Sequence, residues 1–447
     1  MNFVGLDFGT SNSSIARVKD GRVEFFELDP GATNAHMLRS FIFIDREHTS
    51  LVGAEAIGRY QELETGRPVF WASRSLGQVQ MVVGGGGSPI IYWDDLMVQI
   101  DTAARGRLVQ SIKTALRNPG YEGTEVFERY YKVEDLIAIL LKALRERSEI
   151  AIGAPVDGVV IGRPVKFSFQ TEVDARAQGK IEAAARLAGF SRIEFACEPV
   201  AAAVLYHHET PKRQVAMVFD FGGGTLDLTI VELGGRSEPQ IIATRGVLLG
   251  GDDLDRTMMQ PLKPRFGEGA TLRNRTPLPA HLMGMLDNWQ TMVLLSRPEY
   301  RSILADARRG SDPQSIERLE TLVTRNLGFR LFQEIELAKI RLSDKATALV
   351  NLQSGGLNLN ETFTRPQFER LIARFVAQVE TEIDALLQEA GLKAESIDAL
   401  LRTGGSAEIP AFVRMLGNKF GHDRLRAMNP FESIVGGLGI LAERLTS

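Results

Sequence analysis

The chain has 447 residues, of which 44% are hydrophobic and 24% charged, with a net charge of −4. That length exceeds what one compact core holds and points to two or more domains; the slight acidity, without any Lys/Arg tract, argues against a nucleic-acid partner or an anionic membrane surface. A single cysteine, Cys197, excludes an intrachain disulfide and fits a reducing, cytoplasmic setting.

The N-terminus lacks the basic and long apolar regions of a signal peptide, and no apolar run approaches the roughly 20 residues that span a bilayer. It opens instead on an apolar strand that delivers Asp7 into a turn, Gly9-Thr10-Ser11-Asn12, followed by a second and a third strand. The four glycines at 84–87 read as a flexible loop in a peripheral insertion, since no helix start follows them. Residues 133–149 carry apolar side chains at helical spacing. A strand over 158–162 leads to a helix over 172–187, closed by Gly189, and an Ala-rich helix starts at Pro199.

Near residue 215 the opening pattern returns: a strand, then Asp220-Phe221-Gly222-Gly223-Gly224-Thr225, then two further strands. Two similar folds facing each other are the natural reading, and strand alternating with helix favours an α/β architecture. Residues 258–330, rich in Arg, Leu and Pro, read as a second, mostly helical insertion.

The two turns carry the chemistry. Three glycines between strands are poor strand formers, so their use is close backbone approach. Successive N–H groups and the hydroxyls of Thr10, Ser11 and Thr225 then suit phosphate oxygens. Either segment alone could be a plain hairpin; together they would grip one polyphosphate from both sides.

These segments resemble the phosphate loops of the actin, sugar kinase and heat-shock chaperone superfamily. Others resemble the DnaK-type chaperones in particular: Glu198-Pro199-Val200-Ala201, Leu249-Gly250-Gly251-Asp252-Asp253, the stretch from Glu336 through Lys339 and Ile340 to Ser343, Gly404-Gly405-Ser406-Ala407-Glu408, and Met428-Asn429-Pro430. The matches run in family order from residue 3 to about 445. The resemblance implies an actin-like ATPase fold: two lobes, each with a ribonuclease H-like core and a peripheral insertion, around a nucleotide cleft. The lobes are expected at 1–212 plus 425–447 (insertion about 39–131) and at 213–424 (insertion about 258–374).

The resemblance also implies ATP/ADP and Mg²⁺ as ligands. Asp7 and Asp220 would hold the metal through waters, as magnesium's reluctance to dehydrate allows. Glu198 and Asp220 are both candidates to orient the attacking water, and Thr225 would contact the γ-phosphate. The family's cation matches Lys113, with Arg74 as competitor. Glu336, Lys339, Ile340, Ser343, Gly404, Gly405, Ser406 and Glu408 would line the adenosine pocket, with Gly250, Gly251 and Asp252 beside the phosphates.

The family's adenine-stacking arginines are replaced by Ile340 and Glu408, which removes a cation–π contribution of roughly 0.5–2 kcal/mol and predicts weaker nucleotide binding. Arg341 lies about 100° around the helix from the stacking position. Phe431 stands where the family has an acidic residue. The family's apolar linker and peptide-binding domain do not follow residue 447, a pattern that resembles the short, YegD-type members. The expected function is an ATPase switch with a protein client or co-chaperone. A non-catalytic nucleotide-sensing scaffold and a small-molecule kinase of the same superfamily are the alternatives.

Overall fold

The computed structural model describes residues 2–83, 90–168, 170–209, 213–234, 239–429 and 432–445, and of 76–96 and Glu209 only the backbone where it is described. The glycines 84–87, Pro430 and Phe431 lie outside the described residues.

Two sheets share one topology. In the first, strands run in the order Arg192–Cys197, Gly158–Arg163, Phe3–Phe8, Asn12–Lys19, Arg22–Phe25; in the second, Leu425–Ala427, Ala399–Thr403, Gln214–Phe221, Leu226–Leu233, Gln240–Val247. In each, the central strand pairs parallel on one side (Val4 with Val159; Met217 with Leu400) and antiparallel with its own hairpin partner on the other. The strands at the centre are apolar without alternation, Val4 and Leu6 in one and Ala216–Phe219 in the other, because helices cover both faces.

The helices form where the sequence places apolar stripes. Val133–Ile152 begins with Asp135 accepting the Lys132 backbone N–H and ends at Gly153 with φ +74°. Thr171–Leu187 packs on it, followed by Gly189 with φ +96°. The helix Arg365–Glu389 runs unbroken through residue 374, the expected edge of the second insertion. No helix among the described residues is long and apolar enough to cross a membrane.

Between the sheets lie the helices Glu198–Glu209 and Ser433–Arg444. Their Ala201, Ala202, Ala203, Ile434, Leu438 and Ala442 share one buried cluster with Phe3 and Val160 of the first sheet and Val218 and Leu401 of the second. Contact is backbone-close: a Cβ on Gly5 would sit 2.2 Å from the Gly439 nitrogen. This cluster is the floor of the cleft.

The roof comes from the insertions. The first contributes the three-stranded sheet Ser50–Val52, Phe41–Asp45, Gly106–Gln110, the helix Gly53–Glu64 and the hairpin Trp71–Val83/Ile90–Asp101. The second contributes short helices and the long helix Gly328–Asp344. They meet through aromatic rings: Phe329 packs edge-on against Phe41 at 6.0 Å, Tyr60 at 5.2 Å and Trp289 at 5.0 Å. Asn326 donates to the Tyr60 hydroxyl at 3.2 Å, and Trp289 donates to Gln110 at 2.9 Å.

A candidate nucleotide cleft

The two Asp-Gly hairpins touch tip to tip between floor and roof. In the first, Asp7 pairs with Ser14; in the second, at the equivalent rung, Asp220 pairs with Asp227. A Cβ on Gly223 would lie 2.0 Å from the Ser11 hydroxyl, so any larger residue there would have to turn that hydroxyl aside. The second hairpin is backed by the helix Gly251–Met259, whose Gly251 and Asp252 N–H groups donate to the carbonyls of Gly222 (3.0 Å) and Gly223 (2.9 Å).

Around the tips lies a cavity of about 120 Å³ lined by Asp7, Gly9, Thr10, Ser11, Asn12, Lys113, Glu198, Asp220, Gly222, Gly223, Gly224, Thr225, Gly404 and Gly405, which brings these expected residues together. Ser11 and Gly224 also line a larger outer chamber of about 410 Å³, with Asp252 and Glu336. Gly250 and Gly251 stand behind the second hairpin.

Charge governs this cavity. Four carboxylates (Asp7, Glu198, Asp220, Asp227) face one ammonium, Lys113, whose Nζ donates to Glu198 Oε1 at 2.8 Å with both residues under 10% exposed. Burial, then Glu198, pushes the Asp7 carboxyl up to about 7, against the pull of Lys113. Burial, Glu198, Asp227 and Asp7 together drive Asp220 well above the usual carboxylate range. Burial and Glu198 raise Asp227 to about 6, opposed by Arg117 and Lys113. Burial alone would depress Lys113, but Glu198 and Asp7 outweigh it and hold the ammonium above its ordinary value. Such a set fits a divalent cation: crowded carboxylates hold protons for want of positive charge, and a hydrated Mg²⁺ bound between them would displace those protons. No group of three or more potential ligands among the described residues is close enough to hold a metal directly.

Arg74 lies elsewhere, paired with Glu125 and Glu128 on the rim of the first insertion. On the nucleoside side, the structure spreads the expected residues. Lys339 is buried, with its Nζ 2.7 Å from Asp255 Oδ1 and donating to the Gly251 carbonyl at 3.1 Å. Ser406 lies beside Gly251. Glu336 accepts both its bonds from Arg39 of the first insertion, at 3.0 and 3.1 Å. Ile340, Ser343 and Glu408 line neither chamber: Ile340 is 53% exposed, and Glu408 is held by Arg402 at 3.2 Å.

Three residues of this region escape the motif reading. Asp227 was within reach, since it closes the Asp220 hairpin, whose antiparallel pairing puts both on one rung. Arg117 follows Lys113 by one helical turn, a spacing that hinted at a shared face. Arg39 carried no signal, because its partner lies 297 positions away.

Comparison with known proteins identifies the family. The model of the Hsp70 protein family matches residues 3–276 and 317–447. The chaperone protein DnaK of Thermosipho africanus is 27% identical over 450 residues, covering 98% of this chain and 58% of that protein. The chaperone protein HscA of Citrobacter koseri is 27% identical, with 99% and 58% covered, and a DnaK of Cyanidioschyzon merolae 25%, with 98% and 61%. The chain thus spans about three-fifths of the length of these relatives. It belongs to the Hsp70 family and has that family's actin-like ATPase fold.

Proposed function

From this membership and the charge of the cleft, we propose that the chain binds Mg-ATP and hydrolyses it slowly, and that the nucleotide sets how its lobes, 1–212 with 425–447 and 213–424, close on each other. The observation that carries the reading is the pair of hairpins meeting tip to tip over four carboxylates and one lysine.

The roles follow from phosphoryl-transfer physics, in which positioning and charge neutralisation dominate. The N–H groups and hydroxyls of Thr10, Ser11 and Thr225 hold the phosphates. Lys113 supplies the fixed positive charge for the γ-phosphate, steered by Glu198. Mg²⁺ bound through waters to Asp7 and Asp220 would neutralise phosphate charge. Glu198 and Asp220 are the groups able to orient the attacking water and accept its proton. A client polypeptide or co-chaperone, in the cytoplasm, would read the closed or open state.

Single-turnover hydrolysis of ATP, with Asp220→Ala as control, tests this. Folded wild-type protein that binds ATP without turning it over removes the enzyme reading. It would leave a nucleotide-sensing scaffold, whose signature is ATP-dependent protease protection without phosphate release.

A further inference from the structure

A second cavity, of about 730 Å³, opens between the two insertions. It falls within the roughly 300–1,000 Å³ of small-molecule sites. Trp71, Leu108 and Phe127 form its wall on the first insertion, and Trp289, Val293 and Leu294 on the second. The latter wall lies within 277–316, the stretch that the Hsp70 model does not match, so this cavity is partly built from sequence outside the matched core.

The polar groups around it have a one-sided capacity. Four carboxylates line it: Glu64 accepts the N–H groups of Arg105 (2.6 Å) and Gly106 (2.9 Å) and the Arg67 guanidinium, Asp101 accepts from Phe70 and Arg67, Glu125 holds Arg74, and Glu128, 81% exposed at the rim, reaches Arg74 at 3.4 Å. Both indole N–H groups are engaged, Trp71 to Ser296 at 2.8 Å and Trp289 to Gln110 at 2.9 Å. Donors remain. Arg46 donates only to the carbonyls of Ala104 and Thr102, and Arg107 only to the carbonyl of Glu125, so among the described residues neither faces a carboxylate partner. The Arg74 Nε is buried without a partner among the described residues. A chamber with an apolar wall beside two arginines that lack a carboxylate partner among the described residues matches a ligand that is apolar at one end and anionic at the other.

We propose that this cavity binds a small amphipathic anion, an aromatic or aliphatic carboxylate or sulfonate, with its apolar body against Trp289 and Leu294 and its anionic head on Arg46 and Arg107. Because each insertion supplies one wall, the occupant holds the roof of the cleft together. The site does not rest on the nucleotide reading: it shares no residue with the hairpins, and only Trp289 and Gln290 with the outer chamber of the cleft.

The probe is the aromatic sulfonate 1-anilinonaphthalene-8-sulfonate, titrated against the full chain by fluorescence. N-phenyl-1-naphthylamine, the same aromatic body without the charge, is the comparison. One saturable site is expected for the sulfonate. Arg46→Gln/Arg107→Gln, at two exposed rim positions that leave the fold intact by circular dichroism, should weaken it by about tenfold or more, as loss of charge-assisted bonds requires. The same variant should leave binding of the uncharged dye unchanged. Equal sulfonate affinity in wild type and variant overturns the proposal. So does displacement of the dye by Mg-ATP, which would put it in the nucleotide cleft, or equal affinity for the charged and uncharged dyes in the wild type.

Discussion

Replacing Lys113 by Met removes the one ammonium that faces the four cleft carboxylates, and the consequence has a distinctive pH signature. Breaking a buried ion pair ordinarily costs about 3–5 kcal/mol, because a charge is left unpaired. Here a proton is at hand: Asp7 titrates near 7, so at neutral pH the cluster can shed a negative charge by keeping that proton. The loss at pH 7 should therefore be held to about 1–2 kcal/mol. A carboxyl raised by folding stabilises the native state where it is protonated, and stability falls as pH climbs from the unfolded value of 3.8 to the folded one. In the wild type the Asp7 share of this decline ends near pH 7, whereas in the variant, without the opposing ammonium, Asp7 holds its proton higher and its share continues. The gap between them should widen by about 1.4 kcal/mol per pH unit above neutrality. Urea unfolding followed by circular dichroism, from about pH 6 to about pH 8.5, measures it. A gap that stays constant across this range would refute the idea that the carboxylates share one titrating cluster. Single-turnover hydrolysis should fall about 10²–10³-fold in the same variant, as for loss of one electrostatic group at a transition state.

Mg-ATP binding should release protons, because cation and carboxylate protons compete: calorimetry in buffers of different ionisation enthalpy should find release near neutral pH, and identical heats in all buffers would contradict it. The Arg39–Glu336 pair spans the cleft with both side chains about a third exposed. A double-mutant cycle with Arg39→Ala and Glu336→Gln should give a coupling of about 0.5–1 kcal/mol and nucleotide release a few-fold faster, and a null coupling removes its clasping role. Gly250→Ala would put a Cβ 2.1 Å from the Gly223 carbonyl oxygen; since backbone cannot step aside, ATP affinity should drop at least tenfold by fluorescence titration, while unchanged affinity would show that the hairpin can shift. ATP affinity should be weaker than low nanomolar by calorimetry, because Ile340 and Glu408 stand where a pair of arginines would stack on the base.

How much of this was legible in the sequence depends on the range of each signal. The hairpins announce themselves locally, because an Asp before glycines and a hydroxyl between apolar strands is a pattern of adjacent residues. The doubled topology follows from finding that pattern twice. Glu198 and Lys113 meet across 85 positions, and Lys113 could be separated from Arg74 only once the fold showed which cation reaches the carboxylates. The surroundings of the adenosine-side residues were out of reach for a related reason: matching letters at 336–343 say nothing of Arg39 and Asp255, which the chain brings in from elsewhere to engage Glu336 and Lys339. The second cavity has no motif at all, being a shape left between two insertions.

The backbone-close fit of helix Ser433–Arg444 against Gly5 has a temporal consequence during translation. The strand Phe3–Phe8 leaves the ribosome well before that helix, because the surface that it packs on is encoded more than 400 positions later. The amino-terminal sheet therefore waits, with one apolar face uncovered, until nearly all of these residues have been synthesised. A chain of this class is itself exposed to misfolding for most of its own birth.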